Sequence, residues 1–139
     1  MRFLGIDYGT KYMGISISDK TNTISSSLKV ISYTDLEEVY SEIGDIIKDN
    51  LITDVILGFP LNMNGTKSKR CEEVLLFKEE ISKRFNVNTD ILDERLTSVL
   101  ANNMLINNNT SRKKRKTVVD KISAAIILQS YLDRRNNAR

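Results

Sequence analysis

Residues 2–19 read RFLGIDYGTKYMGISISD. Two apolar runs flank the short stretch Gly9-Thr10-Lys11, which predicts strands over residues 1–7 and 12–19 joined by a tight turn. A connection this short makes the two strands antiparallel neighbours, and a third strand over 23–31 extends them into a meander. One residue breaks the apolar pattern. Asp7 stands at the end of the first strand, where a carboxylate is costly to bury unless a cation lies beside it.

Beyond the meander the periodicity changes from 2 to 3.6. TDLE at 34–37 matches a capping box with Thr34 as N-cap and Glu37 reaching back. The helix that follows sets Leu36, Val39, Tyr40, Ile43 and Ile47 on one face and ends near 49–50. DVILGF at 54–59 precedes the single proline and reads as a buried strand. PLNMNGT at 60–66 is a loop with turn residues Asn64 and Gly65. A second helix is expected from near Thr66 to Phe85 with Val74, Phe77 and Ile81 inward, then a fifth strand over 88–94. Thr97 or Ser98 caps a third helix carrying Leu100, Ala101, Met104 and Leu105. The polar stretch 107–116 is expected to be a flexible loop, and the last helix to run from near Thr117 to Asp133. This order predicts one α/β domain over 1–139: a five-stranded mixed sheet, antiparallel meander plus parallel strands, flanked by helices.

Composition removes whole classes of chemistry. The 139 residues include no histidine and one cysteine, Cys71. Imidazole bases, Ser-His-Asp and Cys-His arrangements and histidine metal ligands are therefore excluded, and a structural zinc site is disfavoured. Catalysis would have to use carboxylates, hydroxyls, Lys or Arg, with an oxygen-ligated metal as the natural helper. One cysteine forms no intrachain disulfide, which fits a reducing compartment. MRFLGI is too short an apolar stretch for a signal peptide, and no apolar run approaches the roughly 18 residues of a membrane span, so a cytoplasmic protein with no membrane partner is expected.

The net charge is +3, from 21 Lys and Arg against 18 acids. RKKRK at 112–116 holds five of those cations, which leaves 16 against 18 elsewhere, a net of −2. The basic character is therefore one local cluster, either a nucleic-acid contact or a solvated loop.

Three acids occupy notable places: Asp7, Glu94 at the end of the fifth strand, and Asp120 near the start of the otherwise apolar last helix. Ser123, Ala124 and Ala125 in that helix are small enough to let it approach the sheet closely. Two strand-end carboxylates beside a helix carboxylate are a sensible way to hold Mg²⁺ or Mn²⁺, which prefer oxygen ligands. One or two such ions could activate water for phosphodiester hydrolysis without histidine. Each acid also has a plainer reading. Asp7 could cap the turn before Gly9, Asp120 could favour the helix macrodipole, and Glu94 could pair with Arg95. Spacing alone leaves both readings open.

Four segments together, GIDYGTKYMGISISD, GFPLNMNGT, DERLTS and VVDKISAAIILQSYLD, resemble the YqgF family, the RuvX-type pre-16S rRNA processing nucleases and Holliday junction resolvase homologues. The resemblance spans nearly the whole chain in order and spacing. It implies a ribonuclease H-like fold and divalent metal held by Asp7, Glu94 and Asp120. Asp93 is left out because strand alternation turns it away from Glu94. The family commonly has Arg after GTK, whereas Tyr12 stands here, which removes the ground for a phosphate contact at that position while Lys11 remains. Tyr12 could stack on a base or pack on the second strand, and packing is expected. Asn62 and Asn64 could bond a sugar or phosphate, or simply build a strand-to-helix turn. With the resemblance, Arg112, Lys113, Lys114, Arg115 and Lys116 read as a nucleic-acid clamp just ahead of Asp120.

The leading expectation is a metal-dependent nuclease on structured RNA, with 16S rRNA 5′-end maturation as the family role. Its nearest rival is the same chemistry on branched, four-way DNA, which requires paired cuts and favours a homodimer over a monomer. A nucleic-acid-binding assembly factor without catalysis is a third reading. Phosphotransfer comes last, because DYGT also resembles the phosphate loop of actin-like kinases, which need two such domains.

Overall fold

The computed structural model describes residues 2–62, 64–94 and 112–137, and of 112–121 it describes the backbone alone. In chain order the elements are β1 (Arg2–Asp7), β2 (Tyr12–Ser18), β3 (Ser25–Ser32), α1 (Leu36–Asn50), β4 (Ile52–Phe59), α2 (Lys69–Phe85), β5 (Asn88–Asp93) and α3 (Arg112–Asn137). The five strands form one sheet in the order β3-β2-β1-β4-β5. β1–β2 and β2–β3 are antiparallel, whereas β1–β4 and β4–β5 are parallel. This mixed sheet with helices on both faces is a ribonuclease H-like α/β fold.

Strand alternation builds a core on each side of the sheet. Leu4 and Ile6 of β1, Met13, Ile15 and Ile17 of β2, and Val55, Leu57 and Phe59 of β4 pack with Val39 and Ile43 of α1 and Val74, Phe77 and Ile81 of α2. The alternate residues Phe3, Ile56 and Leu92 pack with Ile127, Leu128 and Leu132 of α3. Arg84 ties the two helices of the first layer, with Nη2 2.7 Å from Glu37, Nε 2.7 Å from Glu80 and its guanidinium 4.1 Å from the Tyr40 ring centroid.

α3 lies unusually close to β1 and β2, and small residues allow it. The Ser16 hydroxyl donates to the Ala124 carbonyl at 2.7 Å, and the Ser25 hydroxyl donates to the Ala125 carbonyl. A Cβ at Gly5 would fall 2.8 Å from Leu128 Cβ and 3.0 Å from the Ala124 carbonyl oxygen. The expected close approach through the Ser123–Ala125 segment is therefore present, and Gly5 supplies the other half of it.

Several local expectations need correction. The N-cap of α1 is Asp35, whose carboxylate accepts from Glu37 N–H at 3.0 Å, whereas Thr34 donates to the Glu38 carboxylate at 3.1 Å. The Asp35 carboxylate, one position later, accepts the free amide, while the Thr34 hydroxyl is engaged by Glu38. α2 starts at Lys69, a few residues later than expected, because Asn62, Asn64, Gly65 and Thr66 are committed to their own turn. The last helix starts at Arg112, so the basic run 112–116 is helical and does not belong to a flexible loop. Lys and Arg are good helix formers, and only their charge suggested otherwise. The helix expected after Thr97 or Ser98 lies outside the described residues.

Replacing Gly5 by Ala would force α3 away from the sheet. We expect a loss of about 1–3 kcal/mol, read as a lower urea midpoint with an unchanged slope; an unchanged midpoint would mean that the helix rests on the sheet without needing that contact.

Candidate active site

β1, β4 and β5 run parallel, and their C-terminal ends lie side by side, the edge where open α/β sheets gather their ligands. Asp7 is the last residue of β1 and pairs with Gly14. Because Phe3 belongs to the layer under α3, alternation turns Gly5 and Asp7 to that same side. Ile56 does the same for Gly58 on β4. Glu94 is the first residue after β5.

Gly58 lies between the two acids. A Cβ there would collide with Oε1 of Glu94 and stand 2.6 Å from its carboxyl carbon. The missing side chain leaves the space through which Glu94 reaches across β4 to Asp7. The two carboxyl groups lie within hydrogen-bonding reach of each other, and that contact favours the protonated form of Glu94. Burial is the largest cause pushing the Glu94 pKa well above the ordinary carboxyl range; the Asp7 charge, the bond to Asp7 and the Asp93 charge add to it, and Arg70 partly opposes it. Two acids pressed together form a donor set of oxygens suited to a hard divalent cation.

The turn after Asp7 is clamped by a residue that the sequence reading passed over. Tyr33 donates its hydroxyl to the Gly9 carbonyl, and its amide donates to the Lys11 carbonyl at 3.1 Å. A Cβ at Gly9 would strike the Tyr12 carbonyl oxygen, so the turn needs glycine. Tyr8 tucks inward, edge-on to Phe77 with centroids 5.3 Å apart. Thr10 and Lys11 are left exposed.

The expected site residues therefore divide. Asp7 and Glu94 come together. The backbone at Asp120 lies in α3 one turn before Ala124, and its side chain, like those of Arg112, Lys113, Lys114, Arg115 and Lys116, is outside the described set. Among the described residues, no three His, Cys, Asp or Glu side chains form a group that could hold a metal. Asn62 donates to Thr66 Oγ1 at 3.0 Å, and Asn64 accepts from the Thr66 amide at 3.0 Å and hydroxyl at 2.6 Å, bonds that serve the strand-to-helix turn. Tyr12 does not pack on the second strand as expected: it is 59% exposed and stands beyond the end of β1, where that strand no longer pairs with β2.

Two contributors were missed outright. Gly58 had a signal, a glycine inside an apolar strand, which often marks a close approach. Arg70 also had one: Lys67, Lys69 and Arg70 crowd the start of a helix, where the macrodipole disfavours cations.

Comparison with known proteins gives a family, relatives and structural neighbours. The model of the family described as "RuvX: Holliday junction resolvase" matches residues 1–134. A Bacillus subtilis protein named "Putative pre-16S rRNA nuclease" is 42% identical over 138 residues, covering 98% of this chain and all of that protein. A protein of the same name from Leuconostoc mesenteroides is 43% identical and covers 96% of this chain and 95% of its own length. Among solved structures, Thermus thermophilus RuvC superimposes with a TM-score of 0.59 at 12% identity over 99% of this chain and 97% of that one. The fowlpox virus Holliday junction resolvase gives 0.55 at 13% identity, covering 96% and 99%. At such identities the likeness is one of fold.

The raised Glu94 pKa predicts a pH-dependent cost of the acid pair. The folded protein keeps a proton that the unfolded chain releases near the ordinary value of 4.5, so stability falls as pH rises above that value toward the folded-state pKa. In EDTA, Glu94→Gln should therefore gain stability over the wild type between about pH 4 and about pH 8. Paired urea titrations measure this, and a difference that does not change with pH would mean that the fold does not raise the Glu94 pKa.

Proposed function

The chain belongs to the RuvX family, and from that premise we propose that it is a divalent-metal-dependent nuclease that hydrolyses phosphodiester bonds and processes the 5′ end of pre-16S rRNA. The observation that carries the chemical half of this reading is the Asp7–Glu94 carboxyl pair at the ends of parallel strands. The substrate half comes from the names of the relatives.

In this reading Asp7, Glu94 and Asp120 hold Mg²⁺ or Mn²⁺. Positions 120, 124 and 128 share one stripe of a helix, and Ala124 and Leu128 are the residues that meet the sheet at Gly5. When bound, such an ion activates water and offsets charge on the leaving oxygen. The residues do the rest. The β1–β2 ladder fixes Asp7, Gly58 admits Glu94, and the pair gives up its shared proton when positive charge takes its place. Lys11, on the exposed side of the turn, holds a phosphate, and the 112–116 run binds RNA beyond the cut. The protein works in this reading as one domain over 1–139. The buried free thiol of Cys71 fits a cytoplasmic location, and among the described residues no helix is long and apolar enough to cross a membrane.

The description of the matching family favours a second reading, cleavage of four-way DNA. A symmetric homodimer making paired cuts would be its signature. Both substrates are tested together, a 16S rRNA precursor and a four-way junction, with Mg²⁺ or Mn²⁺. The precursor should be cut, EDTA should abolish cutting, and Asp7→Asn should slow it at least about 100-fold, the upper end of what losing a mere ligand-orienting partner costs. Paired junction cuts with an intact precursor would transfer the assignment to DNA. Binding without cleavage of either would support the assembly-factor reading.

A further inference from the structure

We propose that Arg70 and Lys69 grip a backbone phosphate of the substrate in a cavity beside the carboxyl pair, an inference that rests on the nuclease reading above. The cavity has a volume of about 470 Å³ and is lined by Thr10, Pro60, Ser68, Lys69, Arg70 and Glu73. Thr10 belongs to the turn that follows Asp7, Pro60 follows β4 two residues after Gly58, Ser68 is the N-cap of α2, and the others lie in its first two turns. The same backbone segments that set the two acids therefore also wall this space. Arg70 is close enough for its charge to lower the Glu94 pKa, although not enough to reverse the effect of burial and of Asp7.

Three observations say that these cations serve something outside the fold. Lys69 and Arg70 are exposed, and among the described residues neither forms an ion pair. Arg84, at the far end of the same helix, is by contrast clamped between Glu37 and Glu80. Lys69 and Arg70 also sit where the helix dipole repels them, while Lys83 and Arg84 occupy the end that favours them. Finally, Glu73 lines the same wall, so two cations against one acid leave a single positive charge, which matches the single negative charge of a phosphodiester. The planar Arg70 guanidinium can meet two phosphate oxygens at once, Lys69 adds a point charge, and the Thr10 hydroxyl can donate from the opposite wall. A phosphate held there would lie next to the one presented to Asp7 and Glu94 and would set which bond along the strand is cut.

The test measures binding of a precursor RNA in EDTA across a range of KCl concentrations, so that no cleavage intervenes. The Lys69→Gln/Arg70→Gln double variant should weaken binding several-fold. Its plot of log affinity against log salt should be shallower by roughly 0.7–0.9, the loss of one neutralised phosphate. Arg70→Lys, which keeps the charge and loses the fork, should keep the slope while binding less tightly. Lys20→Gln, exposed in the turn between β2 and β3 at the other end of the sheet, should change neither. Equal slope and affinity in the double variant and wild type would overturn the inference and leave the nuclease reading standing. Absence of salt-dependent RNA binding by the wild type would overturn both.

Discussion

Two carboxyl groups brought together across β4, one from the end of β1 and one from the end of β5, are the constraint around which this molecule is arranged. Asp7 and Glu94 would separate in water, yet the sheet holds their backbones, and Gly58 removes the one side chain that would stand between them. Burial then leaves the pair two ways to be stable: share a proton, or share a cation. The first is the direction in which burial and the Asp7 charge push Glu94, whose pKa is raised. The second is what a hydrolytic metal site requires, and a site that stores this tension gives up stability for affinity.

The rest of the architecture keeps that pair in register. α1 and α2 cover one face with a large aliphatic layer, which makes the central strands β1 and β4 rigid supports. α3 covers the other through contacts that only small residues permit, Gly5 and Ala124 above all, and its N-terminal half extends toward the ends of the strands that carry the acids. The turn after Asp7 is pinned twice by Tyr33. Catalytic chemistry would thus be set on ladder ends and clamped turns, and Lys11, Lys69 and Arg70 stand exposed near them.

How far the sequence revealed this depended on the range of the interaction. Strand and helix order followed from periodicity, because alternation and the 3.6 repeat are local consequences of burial. The antiparallel pairing of the first three strands followed from their short connections, whereas the place of β4 beside β1 did not. Finer features failed where two neighbours competed, as Asp35 displaced Thr34 at the cap of α1. Asn62 and Asn64 had two plausible uses, and their bonds to Thr66 go to the turn. Tyr12 was expected to pack, but packing needs a neighbour beyond the end of β1, which periodicity does not report. The meeting of Asp7 with Glu94, 87 positions apart, was legible only through family resemblance, since no spacing rule brings two strand ends together. Gly58 and Arg70 gave chemical signals of their own, one a glycine in a buried strand and the other a cation at the wrong end of a helix.

The exchange of a shared proton for a cation is the claim on which the account turns, and it can be observed directly. Mn²⁺ titrated calorimetrically into the metal-free protein near neutral pH, in two buffers of different ionisation enthalpy, reports both binding and proton release. The account predicts saturable binding accompanied by release of a substantial fraction of one proton, with the proton release absent in Glu94→Gln. Binding with no proton release in the wild type, or no Mn²⁺ binding at all, would contradict it.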